Sequence, residues 1–175
     1  MADLSEFVKG DIEYYNTIEL YFDTLSIKKL VILSILTFGF YEIIWFYNTW
    51  KKLAVVFGHK VSPFWRAVFC GISGFWLFPI LEKYIKKFNV EILAGSMLAT
   101  LYFCSNLLYK LPDELWFLSY VSVVIIAIVQ DKINKVNKQY FPDAEENCWS
   151  TTNTVWAVIC GIWFVFALIG TLIPD

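Results

Sequence analysis

Five apolar runs, at 30–47, 64–81, 90–109, 115–130 and 154–173, constrain this chain more than any other feature of it. About 20 helical residues cover the roughly 30 Å hydrocarbon core of a bilayer. The third and fifth runs reach that length, and the fourth is shorter. The runs therefore predict an all-α chain, a polytopic helical integral membrane protein with five membrane-inserted segments. Composition points the same way, at 58% hydrophobic and 17% charged, where an average soluble domain is about 45–50% apolar and about 25% charged.

The first run, extended to "LVILSILTFGFYEIIWFYNTW", carries Gly39 near its middle and Glu42 three residues on. Glycine costs a helix about 1 kcal/mol against alanine and permits a turn. The second run repeats the pattern faintly, with Gly71 and Gly74 followed by Phe75 and Trp76. Two arrangements follow: both runs cross, or both enter and return as re-entrant hairpins. Basic residues set orientation. With all five runs crossing, nine of the 14 Lys and Arg residues fall inside; with two hairpins, thirteen do. Turn backbone cannot be left exposed to lipid, which weighs against the hairpins. Both arrangements place the N-terminus in the cytoplasm, the C-terminus in the periplasm and the chain in the inner (plasma) membrane as a multipass protein.

The predicted organisation is an acidic cytoplasmic segment over 1–25 and a helical membrane domain over 26–175. Asp3, Glu6, Asp11, Glu13, Glu19 and Asp23 oppose Lys9 alone at the start. Ile12, Tyr15, Ile18, Phe22 and Leu25 follow helical spacings. The opening residues lack the basic-then-apolar pattern of a secretory signal peptide. Ser62-Pro63 suits the start of the second run, Asp113 caps the fourth and Asn153 the fifth. Ile133, Val136 and Tyr140 share a face, which predicts a cytoplasmic amphipathic extension near 131–141, ended by Pro142. Trp45, Trp50, Trp65, Trp116, Trp149 and Trp156 lie near run ends, as interfacial rings do. Trp76 and Trp163 lie deeper and are expected between helices.

Glu42 is the sharpest candidate for function. An acid at a bilayer centre costs about 2.5–3.5 kcal/mol and usually faces protein or water. Arg66 is its expected partner, a pair tying the first two runs together. Lys83, Lys86 and Lys87 are candidate contacts for anionic lipid, at roughly 1 kcal/mol per charge near a surface. Other polar groups in the runs, among them Asn106, Ser119 and Gln130, are read as interhelical hydrogen bonds. The four cysteines form no Cys-x-x-Cys pair and His59 is the sole histidine, so no metal site and no cofactor are expected. No phosphate loop, nucleophile elbow or His-Glu zinc motif occurs. No catalytic residue is named and an enzyme is not expected. No basic nucleic-acid surface is present.

Thr37, Gly39, Tyr41, Trp45 and Tyr47, with Lys29 upstream and Pro63, Trp65 and Arg66 downstream, resemble a signature of small uncharacterised bacterial multipass membrane proteins. The resemblance covers roughly 20–80. It implies a bacterial inner membrane and is silent on activity. The expected function is a structural, interaction or lipid-organising membrane component; the alternative is a small oligomeric transporter or channel with Glu42 in its path. The expected partners are a lipid bilayer, with anionic lipids, and a second copy or another membrane protein.

Overall fold

A computed structural model of the protein describes residues 22–108, 119–141, 146–147 and 151–172. Among these the chain forms seven helices: α1 (Ile27–Leu36), α2 (Phe40–Val56), α3 (Pro63–Val68), α4 (Cys70–Lys87), α5 (Gly95–Leu107), α6 (Val121–Tyr140) and α7 (Thr151–Leu172). Two short strands, β1 (Thr24–Leu25) and β2 (Glu146–Asn147), pair in parallel.

The all-helical character stands, but five membrane-spanning segments do not. Among the described residues no helix is long and apolar enough to cross a membrane. The reasons are local. The first run breaks between α1 and α2, and ten residues of α1 rise only about 15 Å. The second breaks at Phe69, and the last turns of α4 carry Glu82, Lys83, Lys86 and Lys87. The third begins with non-helical backbone over 90–94, leaving 13 residues of α5. The apolar half of α6 gives way to Asp131, Lys132, Lys135 and Lys138. The multipass reading, the transmembrane assignment and the orientation by positive charge all lose their premise with it. The 12–18 helical face, Lys110, Asp113 and Pro142 lie outside the described residues. α7 begins at Thr151, so Asn153 lies within its first turn rather than before it.

One buried cluster forms the core, in which Ile125, Ile126, Val129, Ile133 and Val136 of α6 join Trp45, Phe46, Trp50 and Leu53 of α2 and Leu77, Phe78, Leu81 and Ile85 of α4. Phe46, Phe78 and Tyr102 pack ring to ring at centroid distances of 5.3–5.9 Å. Edge-to-face and offset contacts of this kind are worth about 0.5–1.5 kcal/mol beyond the area they bury. Tryptophan placement departs from expectation at four positions. Trp45 and Trp50 are buried, whereas Trp76 and Trp163 stand exposed. Run position could not foresee this, because helical phase, not distance from a run's end, decides which face packs inward.

α4 and α5 form a hairpin whose contact is set by Gly95. A Cβ built there would lie 2.5 Å from the backbone of Pro79 and 2.6 Å from that of Phe78. Glu82 closes the same turn, accepting from the Gly95 N–H at 2.6 Å and from Lys86 at 2.6 Å.

A second device fastens the chain before α1. Gln130, Asn134 and Asn137 recur at helical spacing on α6. Gln130 donates to the Asp23 carbonyl at 2.9 Å, and Asn137 to the Phe22 carbonyl at 2.7 Å. Asn134 donates to the Leu25 carbonyl at 2.7 Å and accepts from the Leu25 N–H at 3.1 Å. The side chains thus satisfy backbone groups that two-residue β1 cannot pair by itself. Asn134→Leu is expected to free residues 22–25 from α6 while the helical core persists. Amide exchange would show it, with protection lost at Leu25 but kept at Ile126 and Phe78.

Candidate functional site

The break between α1 and α2 creates the site. α1 ends as the Gly39 N–H donates to the Ser34 carbonyl at 2.8 Å, closing its last turn. Phe38 and Gly39 both take positive φ, at 52° and 86°. Glycine adopts that region freely, whereas phenylalanine there is uncommon and strained. The Thr37 hydroxyl donates to the Leu33 carbonyl at 2.7 Å and accepts from the Tyr41 N–H at 3.0 Å, bridging the two helices. Trp45 donates its indole N–H to Gln130 at 2.7 Å. Thr37, Gly39, Tyr41 and Trp45, read above as a family signature, therefore do structural work: they end one helix, start the next and fix it to α6.

Restarting the helix at Phe40 puts Glu42 in the first turn of α2, where the helix dipole favours negative charge. The carboxylate is 4% exposed. Tyr102 of α5 donates to its Oε2 at 2.9 Å, and Ser122 of α6 donates to its Oε1 at 2.7 Å. One acid joins three helices. Burial pushes the Glu42 carboxyl above its ordinary range, and the two hydroxyl donors oppose that rise. The Tyr102 hydroxyl is driven far up by burial and by the adjacent carboxylate. Tyr120 is pushed up to about 12, by burial first and Glu42 second.

Glu42 opens on a cleft of about 310 Å³ lined by Phe38, Phe40, Tyr102, Asn106, Ser119 and Tyr120, among others. Cys70 reaches it too, with its thiol pushed up by burial. Asn106 donates to the Tyr102 carbonyl at 2.8 Å. Among the described residues, no group of His, Cys, Asp or Glu is placed to hold a metal ion.

Glu42 and Arg66 are not brought together. The acid is held by Tyr102 and Ser122, while the Arg66 guanidinium lies 4.3 Å from the ring centroid of Trp50 and 5.9 Å from that of Trp76. The expected pair is not formed; Arg66 instead joins α3 to α2 and α4 by cation–π contact. Lys83, Lys86 and Lys87 stand together at the end of α4, where Lys86 is paired with Glu82 at 2.6 Å. Tyr102 and Ser122 escaped the sequence reading, since they lie 60 and 80 positions from Glu42 and nothing local marks them. Gln130, Asn134 and Asn137 were better marked: three amides at positions 0, 4 and 7 of one helix stand in a row.

No family model matches this chain, and no curated protein or solved structure matches it.

Proposed function

We propose that the protein is a lipid-associated structural component that lays α4 along a lipid surface without any helix having to cross it. One face of that helix carries the proposal. Ile72 and Trp76 are 55% and 41% exposed. Lys83 and Lys87, also exposed, continue the same face. At 100° per residue the four side chains fall within about 60° of arc. An apolar stretch with an indole, passing into lysines on one face, suits acyl chains at one end and headgroup phosphates at the other. Phe64, Trp65 and Phe69 of the preceding turns are exposed too, at 56–60%. Trp65 also packs ring to ring with both Phe64 and Phe69, and large exposed apolar patches mark interaction surfaces.

Cosedimentation of the full chain with phosphatidylcholine vesicles, with and without phosphatidylglycerol, tests this. Binding is expected to both, stronger with the anionic lipid. Ile72→Ser with Trp76→Ser should lower partitioning about tenfold or more, since each side chain contributes on the order of 1 kcal/mol from its exposed half. Lys83→Glu with Lys87→Glu should abolish the anionic preference and leave the rest. A chain that stays monodisperse without detergent and ignores both vesicles overturns the proposal.

A further inference from the structure

We propose that the Glu42 cleft is a binding site for an organic ammonium group, a primary or quaternary amine held by the carboxylate and enclosed by aromatic rings. The cleft, at about 310 Å³, is at the lower end of the size of small-molecule sites. Among the described residues its lining contains one ionisable carboxylate and no lysine, arginine or histidine, and the field these residues set favours a cation. Glu42 receives one hydrogen bond on each oxygen. A carboxylate offers about four lone-pair sites, so acceptor capacity remains on both oxygens. Phe38, Phe40, Tyr102 and Tyr120 supply the aromatic wall, and ammonium groups are attracted to ring faces as well as to the acid. Phe40 is 69% exposed, which marks the mouth, while Glu42 marks the floor. A divalent metal is a poorer occupant, because it needs several hard oxygen ligands and the described lining residues supply only one carboxylate.

The inference stands apart from the lipid-surface reading, since a soluble amine needs no vesicle. Full-length protein would be titrated with tetramethylammonium and ethylammonium, and with tert-butanol as a neutral counterpart of similar shape, by calorimetry or ligand-observed NMR at pH 8. Both cations are expected to bind, with tert-butanol at least tenfold weaker. Affinity should fall as pH drops and the carboxyl takes up a proton. Glu42→Gln should lose at least tenfold in cation affinity with its unfolding midpoint recorded alongside. Phe40→Ser, at an exposed position that leaves the core intact, should weaken quaternary ammonium binding several-fold even if the Glu42 variant folds poorly. Vesicles then separate the sources of such a group. Phosphatidylethanolamine binding that ethylammonium competes away identifies a lipid headgroup; cation binding indifferent to that lipid identifies a free amine. Equal binding of cations and tert-butanol, or cation binding unchanged in both variants, overturns the proposal.

Discussion

Gly95→Ala is expected to destabilise the fold by about 3 kcal/mol or more, the upper end of what an overpacked core costs. A new methyl group would meet backbone atoms of Phe78 and Pro79 at 2.5–2.6 Å. Backbone cannot rotate aside as a flexible side chain can. Relief requires α5 to move away from α4, and that movement opens two further contacts. The Glu82 bond to the Gly95 N–H would stretch. Tyr102, two turns along α5, would retreat from Phe46 and Phe78. Denaturant unfolding monitored by far-UV circular dichroism would measure the loss. Gly71→Ala is the control: its added Cβ would meet only the Phe103 ring at 3.8 Å, and less than 1 kcal/mol is expected. Equal midpoints for the two variants would show that the hairpin does not depend on close approach at Gly95.

The second large effect is expected at Glu42. Glu42→Ala leaves the Tyr102 and Ser122 hydroxyls without their acceptor and opens a void between three helices. Each orphaned buried group costs about 1–3 kcal/mol, so a loss of about 3 kcal/mol is expected near pH 5. Glu42→Gln keeps shape and one acceptor oxygen, and should cost much less. The two variants also differ from the parent in pH dependence. Burial holds the Glu42 carboxyl above the ordinary glutamate value of 4.5 in the folded protein. The native state therefore binds more protons than the unfolded chain between 4.5 and the folded value. Stability is full below 4.5 and declines as pH rises through the folded value. Glu42→Gln carries no such proton and removes this decline. Its stability should approach that of the parent as pH rises from 5 to 8, read from melting temperatures across that range. A difference constant with pH would show that burial does not raise this group. Tyr102→Phe should steepen the parent's decline, because it deletes a donor that favours the ionised form.

How much of this was legible can be judged at Gly39. The sequence placed a glycine and an acid in the middle of an apolar run and asked whether the run crosses or turns. Glycine at φ 86° and strained Phe38 answer that the helix ends there and a new one begins. The notion of an unbroken span failed because apolar content reports where a segment prefers to be, whereas continuity of a helix depends on backbone dihedrals at two or three residues. The partner of Glu42 was unreadable for a different reason. Arg66 was the opposite charge at the start of the second run, but burial can be met by neutral hydroxyl donors, and those came from α5 and α6. Arg66 in turn found the faces of Trp50 and Trp76, a match of shape that no charge pattern announces.

By itself the sequence determined that this chain is helical and rich in apolar residues, and that it carries a glycine where its first run could turn. Those are local properties, set by side-chain transfer energies and by which residues tolerate positive φ. Tertiary structure alone decided which tryptophans are buried, what holds Glu42, that residues 22–25 are clasped by a row of amides on α6, and that among the described residues no helix is long and apolar enough to cross a membrane. Each of those depends on the phase and end of one helix relative to another. That relation is fixed by the packing of residues far apart in the chain, as Gly95 against Pro79 and Glu42 against Ser122 make plain.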